Sequence, residues 1–227
     1  MIIVIGDIHG DFGYVNKFLN SHNEVTTVLQ CGDFGYWPKQ HNKSYLNECG
    51  KIKHWDQYSL YNKDVKFHWC DGNHEDFQSL KECNYKPDMK NDNIIYQSRG
   101  SYITLLNGKN VLFIGGACSV DKKYRTQNID WFPEEIITQY DINNLPNVNI
   151  DIVISHTAPM EFQVFDDNKF LHDPSRDVLS VILNKYKPMK WYFGHFHTYK
   201  KGRAYGCEWV SLAYAGSGLR WWIELGK

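Results

Sequence analysis

Five times along this chain of 227 residues, a short run of apolar residues ends abruptly in a cluster of polar side chains. The runs are Ile2–Ile5, Val25–Gln30, Val65–Trp69, Asp151–Ile154 and Lys190–Phe193. The clusters that follow them are Asp7-Ile8-His9, Gly32-Asp33, Gly72-Asn73-His74-Glu75, Ser155-His156 and Gly194-His195-Phe196-His197. Runs rich in β-branched and aromatic residues, apolar on both faces, are expected to form central strands covered by helices. In open α/β sheets ligands gather at the carboxyl ends of the strands. The pattern therefore constrains the chain to a fold in which all five clusters converge.

The remaining patterning fills in that architecture. Apolar residues at helical spacing occupy Tyr14–Leu19 and Val178–Tyr186, the latter opened by Asp173-Pro174-Ser175. A further helix is expected around Pro133–Tyr140, with Pro in its first turn and Glu134-Glu135 at the positive end of its dipole. Ser101–Leu106 and Asn110–Gly115 flank Asn107-Gly108, a two-residue hairpin signal. Tyr199–Tyr205 and Glu208–Ala213 suggest a second hairpin, and Trp221-Trp222-Ile223 a closing strand. Two mixed β-sheets with helices outside, an αββα sandwich, is the economical arrangement. No internal repeat or Pro/Gly/Ser linker divides the chain, so residues 1–227 are expected to form one domain. The segment 36–61, with Trp37, His41, Tyr45, His54, Trp55 and Tyr58, reads either as a cap that stacks a base or as a helix packed on the core.

Composition narrows the partners. A formal net charge of −1 creates no field that would draw the chain to nucleic acid or an anionic membrane. No apolar run approaches the roughly 20 residues of a membrane span, and the N-terminus lacks a signal-peptide pattern. The six cysteines show no close pairing and are expected to be free thiols in a reducing, cytoplasmic setting.

The clusters carry metal-binding chemistry. Asp7 and His9 are one residue apart, as are His195 and His197. On extended backbone each pair would point to one side with α-carbons roughly 6.6 Å apart. One pair can then straddle two metals roughly 3.5–4 Å apart. Asp33 can bridge with both carboxylate oxygens, Asn73 offers an amide oxygen, and His156 another imidazole. Taken singly, each residue also fits a helix cap, a turn or a loop histidine. Five of the ten histidines nevertheless fall inside these motifs. His22, His41, His54, His68 and His172 fit no motif and are assigned to structure or surface.

In these motifs, from Asp7 to His197, the chain resembles the calcineurin-like metallophosphoesterases. Their pattern is Asp-x-His, Gly-Asp, Gly-Asn-His-Asp/Glu, a lone His and Gly-His-x-His. The resemblance implies that Asp7, His9 and His197 hold one metal, that Asn73, His156 and His195 hold a second, and that Asp33 bridges them. It implies further that His74 faces the substrate without binding metal; there it would protonate the leaving alkoxide or stabilise the charge on the phosphoryl group. Two divalent ions balanced by Asp7, Asp33 and a bridging hydroxide leave a site near one positive charge, suited to a phosphate anion. Mixed nitrogen and oxygen ligands suit manganese, the first choice here, or iron, zinc, cobalt or nickel, as divalent or mixed-valence ions. The metals would activate the bridging hydroxide for in-line attack on a phosphomonoester or phosphodiester.

The chain departs from that family's second motif. Many relatives continue Gly-Asp-x-x-Asp-Arg-Gly, whereas this chain reads Gly32-Asp33-Phe34-Gly35-Tyr36-Trp37. It lacks the Asp that orients the catalytic His and the Arg that grips phosphate, which sets it apart from the serine/threonine protein phosphatases. Asp11, Glu75 and Asp76 are the candidates to orient His74; Arg99, Arg125 and Arg176 are those to bind phosphate. Tyr36 matches the position of an iron-binding Tyr in purple acid phosphatases. His9 fills the coordination position where those enzymes carry Gly, so Tyr36 is expected to be an aromatic wall. Gly115–Asp121 follows a strand and reads as a close backbone approach to ligand or as a bulge. The rival functions are a nuclease, disfavoured by neutral charge and the lack of an Arg-rich strip, and a non-catalytic binding module, disfavoured because no ligand is missing. The substrate is expected to be a small molecule or nucleotide ester.

Overall fold

The computed structural model describes residues 1–38, 45–46, 52–53, 58–87, 89, 91–165 and 173–226. In chain order the elements are β1 (Ile2–Ile5), α1 (Phe12–Asn20), β2 (Thr27–Gln30), β3 (Tyr45–Leu46), β4 (Ile52–Lys53), β5 (Lys66–Trp69), α2 (Phe77–Glu82), β6 (Ile94–Tyr96), β7 (Tyr102–Thr104) and β8 (Asn110–Ile114). There follow α3 (Gln139–Asn143), β9 (Ile152–Ser155), α4 (Pro174–Tyr186), β10 (Lys190–Phe193), β11 (Lys200–Ala204), β12 (Cys207–Ser211) and β13 (Trp222–Glu224). One sheet has the order β13-β1-β2-β5-β6, parallel except for β13. The other has the order β11-β12-β10-β9-β8-β7, with antiparallel strands at both edges. The two-residue strands β3 and β4 pair with each other.

Alternation along the strands decides the layering, because successive side chains point to opposite faces. Ile3 and Ile5 of β1 join Phe12, Val15, Leu19, Phe77 and Leu80 beneath α1 and α2. Val4, between them, points the other way into a core shared by both sheets with Leu29, Val111, Phe113, Ile152, Ile154 and Tyr192. On the second sheet Leu112, Ile114, Val153, Trp191 and Phe193 face away from that core, onto Leu179, Ile182 and Leu183 of α4. The layers run helix, sheet, sheet, helix, as the strand pattern leads one to expect. Each fully buried side chain of this size contributes about 1.5–3 kcal/mol of burial energy. Among the described residues no helix is long and apolar enough to cross a membrane.

Two local expectations change. The helix expected over Pro133–Tyr140 is interrupted: a 3-10 turn covers Pro133–Glu135, Ile136 is extended, and α3 begins only after Thr138. Glu135 turns inward and is buried, which breaks the helical register, and Thr138 with Asp141 forms a capping box that starts the next helix. At Asn107-Gly108 only Gly108 has positive φ, and the amide of Gly108 bonds the carbonyl of Leu105. The loop is thus a longer turn, closed by the Leu105 amide on the Lys109 carbonyl, rather than the type I′ two-residue form, which needs positive φ at both centres. That two-residue form appears instead at Tyr205-Gly206, with φ of 51° and 82°, between β11 and β12. Of the cap expected over 36–61, residues 39–44, 47–51 and 54–57 lie outside the described residues, as does His172.

Candidate metal centre

Each cluster sits in the turn that leaves a strand end. Asp7, His9, Asp33, Asn73, His74, His156, His195 and His197 thereby meet at one rim of the sandwich. The backbone there is not the extended form assumed from the spacing. His9, Asp33, His195 and His197 have φ of 44°, 51°, 64° and 51°, the left-handed region, which costs a non-glycine residue about 1–2 kcal/mol. Hydrogen bonds from distant segments hold these turns. The amides of Ile8 and His9 both donate to the carbonyl of Asp33, and that of His195 to the Asp7 carboxylate at 3.1 Å. The turns send His197 toward Asp7 and His9, and His195 toward His156, where the ring centroids lie 4.9 Å apart.

Close approach explains two of the motif glycines. A β-carbon on Gly72 would fall 2.0 Å from Asp33 Oδ1, and one on Gly194 would fall 1.9 Å from Asp7 Oδ1. Any side chain at either position would displace a carboxylate. Asp33 Oδ1 accepts from the amides of Asn73 and His74, both at 2.9 Å, and lies 3.2 Å from His156 Nε2. Its Oδ2 faces the other way, 3.8 Å from His9 Nδ1. The carboxylate stands between the two histidine groups.

The donor set calls for added positive charge. His156 Nδ1 lies 2.9 Å from the carbonyl of Cys31, which can only accept, so Nδ1 carries the proton. Nε2 then faces Asn73 Oδ1 at 3.0 Å and Asp33 Oδ1 at 3.2 Å. A nitrogen lone pair and two oxygens turned on one another repel unless a proton or a cation lies among them. On the other side, His9 Nε2 and His197 Nε2 face each other at 3.4 Å, and His197 Nε2 lies 3.1 Å from Asp7 Oδ2. Ligand atoms of Asp7, His9, Asp33 and His197 all fall within 4.8 Å of one another.

The titration of these groups follows the same electrostatics. Burial opposes charge on His156, yet Asp33 and Asp7 outweigh it and push the imidazole up to about 10. Burial raises Asp33, but His156, His74 and His9 hold it well below the usual carboxylate range. Asp7 is lowered against its own burial by His197 and His156. Burial, with His156 beside it, drives His195 down to about 3, so its lone pair is free of a proton at neutral pH. Buried carboxylates, imidazoles and an amide oxygen form a donor set that could hold divalent metal ions.

The family model for calcineurin-like phosphoesterases matches residues 1–199. The chain belongs to that family. No curated protein is significantly similar in sequence. Among solved structures, TT1561 of Thermus thermophilus is 12% identical with a TM-score of 0.55, over 96% of this chain and 90% of that one. The phosphopantetheinyl hydrolase PptH of Mycobacterium tuberculosis is 11% identical with a TM-score of 0.54, over 100% and 96%. At such identity these likenesses speak for the fold. The family supports metal-dependent hydrolysis of phosphate esters in general.

Around this cluster, the acids and arginines singled out by sequence have specific places. Asp11 and Asp76 cap α1 and α2, accepting from the amides of Tyr14 and Ser79. Glu75 is buried beneath the second motif, accepting from the amides of Phe34, Gly35 and Tyr36 at 2.8, 2.9 and 2.6 Å. All three acids thus serve backbone. Arg99 grips Asp71 and the carbonyls of Glu134 and Ile136, and Arg176 holds the carbonyls of Ala158, Pro159 and Phe162. These ties bind both guanidinium groups to a buried carboxylate and to backbone carbonyls of the scaffold.

Arg125 is different. Its Nη2 lies 2.9 Å from Nε2 and 3.2 Å from Nδ1 of His74, and Asp121 holds its Nε at 2.8 Å. The two ring nitrogens point in diverging directions and at most one of them can accept, so a single donor close to both lies against the ring rather than along either one. Tyr36 packs against Tyr58 and Trp69 in the first-sheet core. His68 and His22 bond to Gln97 and to the carbonyl of Phe18, consistent with structural roles.

Sequence reasoning missed Tyr214, whose ring meets His197 edge-on at 4.9 Å, and the contact of Ser119 with Asn73. Both follow strand ends, β12 and β8, the signal that exposed the five motifs.

Proposed function

We propose that this phosphoesterase hydrolyses small phosphate monoesters or diesters, nucleotides included, with manganese as the favoured metal and the cytoplasm as its setting. Asp7, His9 and His197 would hold one ion, Asn73, His156 and His195 the other, and Asp33 would serve both. The observation that carries this reading is the convergence of His156 Nε2 with the oxygens of Asn73 and Asp33, an arrangement that only a cation or proton satisfies. When bound, the ions would acidify a water and neutralise phosphoryl charge.

The chain's own groups supply the rest. Arg125, fixed by Asp121 and lying against His74, is placed to take a phosphoryl oxygen and so fills the role of the Arg absent from the second motif. His74, a quarter exposed at the rim, delivers a proton to the departing alkoxide. Its backbone amide on Asp33 keeps the ring beside the cluster.

The test is metal-depleted protein reloaded with each ion in turn and assayed on p-nitrophenyl phosphate, its bis-ester, cyclic nucleotides and single-stranded DNA. We expect metal-dependent turnover of a small ester, abolished by chelation. Cleavage of DNA alone would move the assignment to a nuclease, and no turnover with both ions bound would make the chain a binding module.

A further inference from the structure

The amide of Asn73 has two faces, and only one suits a metal. Its oxygen is a ligand, whereas its NH2 would repel a cation. In the structure Asn73 Oδ1 faces His156 Nε2 at 3.0 Å, while Nδ2 lies 3.1 Å from Ser119 Oγ. Ser119 Oγ in turn lies 2.7 Å from Glu135 Oε2, and the amide of Ser119 donates to Glu135 Oε1 at 2.6 Å. All three residues are buried, Glu135 fully.

We propose that Glu135, acting through Ser119, is a positioning residue that dictates which atom of Asn73 faces the metal centre. The inference rests on the two-metal reading given above and adds to it a residue outside all five motifs. A carboxylate only accepts, so the hydroxyl proton of Ser119 points to Glu135. With that proton committed, Ser119 Oγ can only accept from Asn73. The NH2 of Asn73 therefore turns to Ser119 and its oxygen to the cluster. Directionality is handed along from Glu135 by two hydrogen bonds, at residues 46 and 16 positions apart in the chain. It also accounts for the interrupted helix at Pro133–Glu135, which turns this carboxylate inward.

The relay makes an unusual demand of the isosteric change Glu135→Gln. The Ser119 amide would hold the Gln oxygen, leaving the Gln NH2 to donate to Ser119 Oγ. The hydroxyl proton would then turn to Asn73 and favour the flipped amide, with NH2 toward the cation. Calorimetric titration of the full chain with Mn²⁺ reads this directly. We expect wild type to take two equivalents. Glu135→Gln should weaken the second by about 10- to 100-fold, as for other groups that orient a ligand, and leave the first intact as proof of folding. Ser119→Ala should cost less, because nothing then opposes the productive orientation. In an Asn73→Asp background, where either rotation presents oxygen, adding Glu135→Gln should change nothing.

Equal losses in Ser119→Ala and Glu135→Gln, or a Glu135→Gln loss that persists beside Asn73→Asp, would overturn the relay and leave Glu135 as scaffold. A wild type that binds fewer than two equivalents would instead overturn the two-metal reading itself.

Discussion

Metal loading should expel a proton from His156. Without a cation among Asn73, Asp33 and His156, the imidazole holds a proton on Nε2 and its affinity for that proton rises to about 10. At a pH of about 7.5 the protonated form then outnumbers the neutral one by about 300-fold, the antilog of about 2.5 units. A metal must displace that proton, so apparent affinity for the second ion should climb about tenfold per pH unit from about 6.5 toward about 10. The sign for stability runs opposite. A group whose affinity for protons is raised by folding stabilises the metal-free fold below its ordinary value of 6.5. That stabilisation fades as pH climbs through about 10. Titrating Mn²⁺ calorimetrically in two buffers of different ionisation enthalpy counts the protons released. We expect close to one for the second equivalent near pH 7.5, absent in His156→Gln. A proton count near zero in the wild type would show His156 already neutral and refute the electrostatic argument.

The substituted ligands and rim residues make further demands. In Asp33→Asn the amide oxygen should keep the hydrogen bonds from Asn73 and His74, which turns the new NH2 toward His9; elemental analysis should show both ions reduced and the Asp7–His9–His197 ion lost first, and two full equivalents would refute the bridge. His74→Ala should retain both ions and lose roughly 10²–10⁴ in kcat on alkyl esters, less on good leaving groups, so unchanged kcat on an alkyl phosphate would remove it from the mechanism. Arg125→Ala should instead lower kcat/KM by about 10- to 150-fold, the worth of a charge-assisted hydrogen bond, largely through KM. Tyr36→Phe should leave metal content intact and erase no visible absorption band, because its ring packs on Tyr58 and Trp69; loss of such a band would reassign the first metal's ligands.

What could be read from sequence was what is local. Strand and motif are adjacent in the chain, so the apolar runs Ile2–Ile5 and Lys190–Phe193 sufficed to place Asp7 and His195 at strand ends. The directions of the side chains were not local. His9 and His195 leave their strands in left-handed turns because their amides bond Asp33 and Asp7, the latter 188 positions away. Extended spacing could not foresee that. Glu75 looked like a partner for His74 because it stands next to it. Its two oxygens instead reach amides about 40 residues upstream, and this tie joins the second motif to the third.

Under the proposed two-metal reading, ligand and scaffold cannot be separated at Asp33. The oxygen that accepts the amides of Asn73 and His74 is the same oxygen that faces His156. Asp7 likewise binds the amide of His195 with the carboxylate that meets His197. Each buried carboxylate thus shapes the turn that carries the opposing ligands while contributing charge to the same cluster. The left-handed turns at His9 and His195 are held by the bonds of their amides to the Asp33 carbonyl and the Asp7 carboxylate, and strain of this kind is kept where a site must be preorganised. A carboxylate that orders its own partners leaves a metal little rearrangement to do on arrival. The binding energy is then available to hold the ion rather than to fold the site.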